Sequence, residues 1–204
     1  MVAPKSNKAN TQPQPPVVVL DACILISNVL RYLSLELAAK GYFQPAWSAI
    51  IGDEWLRNAA RLWQVAPSQL EVDWAQWQVD FPLADQGNIQ PYKAGLQYSD
   101  PKDWHVIAAA RAAQVQFPQR SVGILTRNIK DFNRSELARL GIERLQPDAF
   151  FCALWPFAEA DFRVILARLP AAVTAPDKTP LTVVELLKRE RLFNLNQCLR
   201  EAAP

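Results

Sequence analysis

Four carboxylates in this chain stand where chemistry is commonly done: Asp21, Glu54, Asp103 and Asp131. Asp21 ends an apolar run, Val17-Val18-Val19-Leu20. Such a run predicts a fully buried parallel strand, and open α/β sheets bind ligands at the carboxyl ends of their strands. An acid at the rim of an apolar core costs free energy unless something pairs with it. Glu54 falls early in a helix that Ser48 would cap. Asp103 closes Asp100-Pro101-Lys102-Asp103, a helix-start signal in which Asp100 suits the N-cap. Asp131 follows a second apolar segment, Ser121 to Thr126. Three of the four therefore lie at element junctions, which a parallel sheet can bring to one edge. Clustered carboxylates raise one another's pKa, and a bound divalent cation removes that penalty. Mg²⁺ and Mn²⁺ prefer oxygen ligands and keep several waters. A water acidified by such an ion can attack a phosphodiester. Each acid also has a plainer explanation: a solvated helix face for Glu54, a cap for Asp103, a turn for Asp131. His105 suits a half-buried helix position better than a general base. The weight lies in the ordered set.

The elements that must position these acids follow from the local pattern. Residues 1–16, rich in Pro, Gln, Asn and Lys, read as a disordered leader. A strand at 17–21 leads to a helix from Ser27 or Asn28 that Gly41 ends. Gln44 to Ser48 is a break, and Pro67 opens a third helix. Residues 80–99 form a loop with a short strand near 81–84. A helix from Asp100 runs to about Gln114, then a strand ends at Thr126 and a turn spans Asn128 to Asp131. A short helix from Ser135 leads to an edge strand at 142–145. Helices are expected at 147–155, 158–168, 181–191 and 192–202, with a Pro-rich hinge over 170–180. Strands alternating with helices, and no hairpin signals, predict an α/β fold: a short parallel sheet flanked by helices, with a helical C-terminal extension.

Composition narrows the function. The 204 residues suit one domain with appendages, and half are hydrophobic. The net charge is +2, which leaves room for a local basic patch. A single histidine excludes His-rich metal centres and makes a Ser-His-Asp triad a poor candidate. Cys23, Cys152 and Cys198 are far apart and form no CxxC pair, so neither a disulfide framework nor a zinc site is supported. No apolar stretch approaches the roughly 18 residues of a membrane span. The leader lacks the apolar centre of a signal peptide, and a cytoplasmic location is expected.

The segments Val19-Leu20-Asp21-Ala22-Cys23, Asp53-Glu54-Trp55 with Arg57-Asn58, Asp100-Pro101-Lys102-Asp103 with His105-Val106, and Thr126-Arg127-Asn128-Ile129-Lys130-Asp131-Phe132 resemble PIN-domain proteins. The resemblance is strongest to the VapC-like toxins of type II toxin–antitoxin pairs and covers roughly residues 17–151. Pro147-Asp148-Ala149-Phe150, with helices after it, resembles one subgroup. It implies a PIN-like nuclease domain over 17–151, a helical extension over 152–204, and a metal-dependent endoribonuclease. On that likeness Asp21, Glu54, Asp103 and Asp131 are the catalytic acids and hold Mg²⁺ or Mn²⁺. Asn128 and Thr126 support the site, and Arg127 and Lys130 flank it as phosphate-binding candidates. It also implies an RNA substrate and a cognate antitoxin, with the C-terminal helices offering an antitoxin groove, a homodimer surface or packing against the domain. Trp104 and the loop over 82–99 depart from the family pattern. Two other readings stand beside this one. The first is a PIN-like RNA- or protein-binding module without turnover. The second is a haloacid-dehalogenase-type phosphohydrolase, which would want an Asp where Cys23 stands.

Overall fold

The structure is a computed structural model that describes residues 14–175 and 178–201. The apolar run Val17–Leu20 forms β1, buried at every position, as a strand covered on both faces requires. Among the described residues the sheet has four strands in the order β2-β1-β3-β4, with β2 at Gln44–Ala46, β3 at Val122–Leu125 and β4 at Ile142–Leu145. Every pairing is parallel. The expected α/β class, with flanking helices and a helical C-terminal extension, is what the chain adopts. The chain leaves β1 for β2 on one side and crosses to β3 on the other, so the topological switch point lies between β1 and β3. Ligands of open α/β sheets bind there, outside the carboxyl ends. Leu20 pairs with Leu125, which places Asp21 and Thr126 together at that point.

The helices begin where their caps predict, with some differences. An unforeseen short helix, α1 at Ala22–Ile26, precedes α2 at Asn28–Ala39, whose cap is Ser27 accepting from the Leu30 N–H. Gly41, at φ 84°, turns the chain out of α2. Ser48 caps α3 at Ala49–Trp63, and α4 covers Pro67–Asp80. The segment from Gln44, expected to be a break, is β2. Pro45 is tolerated there because β2 is an edge strand and needs bonds on one side only. No strand forms at 81–84. A single bridge pairs Trp47 with Asp85 instead. Further along, α5 spans Trp104–Gln116 and α6 Arg134–Arg139.

Residues 147–173 form one helix of 27 residues, α7, rather than two. Pro156 and Pro170 lie inside it, each removing one backbone donor. Phe151, Phe162, Leu166 and Leu169 are buried, so tertiary packing outweighs the local breakers. The boundary expected at 151/152 falls within α7, and the chain leaves the helix only after Val173. Two short helices follow, α8 at Val183–Arg189 and α9 at Phe193–Glu201. In the expected leader, residues 1–13 lie outside the described residues, and Pro16 is tied to Gln44 by a backbone bond of 2.9 Å. No described helix is long and apolar enough to cross a membrane.

Tryptophans build the core between α3 and α4. Trp55 packs against Trp63, Trp74 and Trp77 at centroid distances of 4.5–6.4 Å. The Arg31 guanidinium lies 4.8 Å over Trp63, and burial pulls its pKa down to about 10. Cys152 and Cys198 are free thiols whose sulfurs stand 3.2 Å apart between α7 and α9, a proximity their spacing of 46 residues conceals.

Candidate active site

Asp21 sits where β1 meets α1 and is 2% exposed. It is the N-cap of α1, yet its carboxylate makes no capping bond. Instead Oδ2 accepts from the Thr126 hydroxyl at 2.5 Å and from the Cys23 thiol at 3.0 Å. Thr126 is fully buried and accepts in turn from the Asn128 N–H at 2.9 Å. Burial pushes the Asp21 carboxyl above its ordinary range, the Thr126 and Cys23 bonds pull the other way, and the Glu54 charge adds to the rise. Burial, with the Asp21 charge second, also pushes the Cys23 thiol far up, so it is a protonated donor.

Asp103 stands at the junction of a 3-10 turn, Pro101–Asp103, with α5. The capping duty there belongs to Asp100, whose carboxylate accepts from the Lys102 N–H, and the Asp103 carboxylate makes no cap bond. Its pKa is pushed up to about 6, first by burial, then by the charges of Asp21 and Asp131, with Glu54 adding to the rise and His105 opposing it. The other three expected acids thus all act on the Asp103 carboxyl group, although 110 residues separate the first of the four from the last.

The loops that carry them are fastened to one another. The Asp100 N–H donates to the Asp131 carbonyl at 2.8 Å, joining the Asp103 turn to the 3-10 turn at Ile129–Asp131. Beneath them the buried Glu136 carboxylate accepts from the N–H groups of Gln97, Tyr98 and Ser99. Burial works to raise its pKa, and those bonds overcome it and hold the carboxylate below its ordinary range. Ser99 accepts from the Asn133 N–H through its hydroxyl and from the Trp104 indole through its carbonyl. Glu136 was missed in the sequence because an acid in a short helix looks solvated. A signal was present in its position three residues after the cap Asn133, but nothing local says that it is buried.

Glu54, half-buried on α3, reaches toward the site and also toward His105. His105 Nε2 lies 3.2 Å from Glu54 Oε2 without the alignment of a hydrogen bond. Its Nδ1 is 2.8 Å from the Lys102 carbonyl, which can only accept, so Nδ1 carries the proton. Asn128 and Lys130 are exposed on the turn before Asp131, and Asn128 meets the site through its backbone rather than its side chain. The Arg127 guanidinium is paired with Glu190 at 2.5 Å.

Oxygen donors of this kind are what a hard divalent cation prefers. Among the described residues, however, no group of three or more His, Cys, Asp or Glu is placed so that it could hold a metal ion. Comparisons with protein-family models, curated proteins and solved structures find no match.

Proposed function

We propose that the chain is a metal-dependent endoribonuclease, a VapC-like toxin of the PIN-domain kind that hydrolyses RNA phosphodiester bonds. The observation that carries this reading is the Asp103 carboxyl, pushed up to about 6 by burial and by Asp21, Asp131 and Glu54 at the switch point of a parallel sheet. Asp21, Asp103, Asp131 and Glu54 would hold Mg²⁺ or Mn²⁺, directly or through water. The bound ion supplies Lewis acidity toward water and toward the leaving oxygen. The protein's own part is positional. Thr126 and Cys23 fix the Asp21 carboxylate with two donors, so it keeps one orientation. Glu136 holds the loop before Asp103 rigid. Lys130 and Lys102 carry exposed cations beside the acids and suit flanking phosphates. Sequence-specific cleavage would require exposed single-stranded bases, as in an RNA loop.

The test is cleavage of total RNA with Mg²⁺ or Mn²⁺ by the wild type, Asp21→Asn and Asp103→Asn. Loss of cleavage in both variants supports the assignment, and equal cleavage by all three sinks it. An active nuclease must be held in check in the cytoplasm, which calls for a cognate antitoxin. Phe157 on α7 and Phe193 on α9 are exposed apolar side chains suited to it or to a second copy, whereas Trp155 and Leu187 are buried within the chain. Copurification with the product of the adjacent gene tests that partner. A PIN-like binding module without turnover is favoured by one observation, the approach of Glu54 to His105. A Mn²⁺ titration that finds no binding would establish that alternative.

A further inference from the structure

Past the end of β3 lies a cleft of about 470 Å³ with walls from both parts of the chain. Thr126 and Arg127 close it from the end of β3, Asp148 from the start of α7, and Arg189, Glu190 and Arg191 from the turn after α8. Asp148 is already engaged, its two oxygens accepting from the N–H groups of Asn194 and Leu195. Glu190 is the carboxylate that meets the cations. Its Oε2 accepts from Arg127 at 2.5 Å and from the Ser27 hydroxyl at 2.8 Å, and Arg189 Nε lies 3.7 Å from its Oε1. Arg127 also donates to the Glu190 carbonyl at 3.0 Å. Arg191 follows in the left-handed region at φ 59°, with its side chain exposed at the rim.

Two guanidinium groups and a hydroxyl converging on one oxyanion are the donors that a phosphodiester uses. Other contacts also attach the extension. Leu186, Leu187, Leu192 and Leu195 are buried, and Asp148 fastens α9. The geometry points to a groove for the sugar–phosphate backbone of single-stranded RNA, with Glu190 as a built-in competitor occupying a phosphate position. The inference rests on the ribonuclease reading and adds to it a place where the strand enters and a brake on its entry. Thr126 lines the groove and donates to Asp21, so the groove is one hydrogen bond away from that acid. Displacing Glu190 from Arg127 is then part of binding.

The test measures binding of a fluorescent single-stranded RNA oligonucleotide by anisotropy in EDTA, where metal-dependent cleavage is silent. Glu190→Gln keeps the side chain's size and removes its charge. It should bind several-fold more tightly than wild type, with a salt dependence steeper by about 0.7 in log K against log salt, the step of one added phosphate contact. Arg127→Gln should weaken binding and flatten the slope, and the double variant should return to the Arg127→Gln level. Arg191→Gln, at an exposed turn, should flatten the slope even if Glu190→Gln folds poorly. Unchanged affinity and slope in folded Glu190→Gln overturn the proposal, as does an unchanged slope in Arg191→Gln or absence of binding in every variant. Equal binding of a polyglutamate peptide by Glu190→Gln would overturn it in favour of an acidic protein ligand. Cleavage is scored separately. If Asp21→Asn cleaves normally while Glu190→Gln still tightens binding, the nuclease reading fails and the groove stands. The reverse pattern spares the nuclease and removes the groove.

Discussion

The Thr126 hydroxyl donates to the Asp21 carboxylate at 2.5 Å across the gap between β1 and β3, from a residue that is itself fully buried. The bond spans 105 positions of sequence and exists because Leu20 and Leu125 are in register. It joins the two strand ends at which the strand order reverses.

Thr126→Val should therefore leave a buried carboxylate short of a donor. Hydrogen bonds to charged groups contribute about 1.5–3 kcal/mol, so urea denaturation at neutral pH should show a loss of about 2 kcal/mol. RNA cleavage should fall along with it, because Asp21 loses a fixed orientation. Thr126→Ser keeps the hydroxyl and should stay close to wild type in cleavage. A Val variant as stable and active as wild type would refute the positioning role.

Asp103 gives a prediction with the opposite sign. Its pKa is raised to about 6 in the fold by burial and by Asp21 and Asp131, above the ordinary value of 3.8. The folded state therefore binds the proton more tightly than the unfolded chain. The stabilisation is full below about pH 4 and is lost as pH rises through 6. Asp103→Asn should stabilise the metal-free protein at pH 7, by about 1 kcal/mol once solvent screening of this half-buried group is allowed for. The advantage should shrink as pH falls from 6 to 4. Mn²⁺ should raise the melting temperature of wild type and have less effect on Asp103→Asn. A variant no more stable than wild type at pH 7 would mean that the acids do not share a field.

Glu136 supports the same loop from beneath. Glu136→Gln replaces an acceptor carboxylate facing three backbone N–H groups with an amide that offers one oxygen. A loss of about 2 kcal/mol is expected at pH 7. Because the native carboxyl is held below its ordinary range, that difference should be present at neutral pH and fade as pH falls through the native pKa. Hydrogen exchange should show residues 97–103 opening while the sheet stays protected. Unaltered exchange there would show that the loop is held by other contacts.

How far the sequence disclosed this arrangement depended on range. Val17–Leu20 is apolar without interruption, and such a run has few alternatives to a buried strand. Ser27, Ser48 and Asp100 are capping residues that bond within three positions, so α2, α3 and the Asp103 turn were placed by local chemistry. Pro45 concealed β2, because only the sheet order shows that its missing donor faces no partner. Pro156 concealed the continuity of α7, because the helix is held by packing against α2 and α9, segments distant in sequence. The four acids were picked out by their order and by a resemblance, and in the fold Asp21, Asp131 and Glu54 lie within electrostatic reach of Asp103. The contacts of Arg127 with Glu190 and of Glu136 with residues 97–99 lie 63 and up to 39 positions apart, and neither leaves a periodic trace.

Gly52 ties the tryptophan cluster to the helix that carries Glu54. It is buried on α3, two residues before Glu54, and a Cβ there would meet the Trp74 ring at 2.4 Å. Real Cβ atoms do not approach so closely, and the ring is held by Trp47, Trp55 and Trp77 at centroid distances of 5.5–6.0 Å. Gly52→Ala gains helix propensity of about 1 kcal/mol, but the overpacking it forces costs about 1–3 kcal/mol, so the net should be destabilising. Trp74→Leu would relieve the overlap, and the double variant should recover part of the loss despite the cavity left by the indole. Tryptophan fluorescence and thermal melts would follow both variants. A Gly52→Ala protein more stable than wild type would show that α4 yields by simple displacement, and that the close approach of α3 and α4 does not fix the position of Glu54.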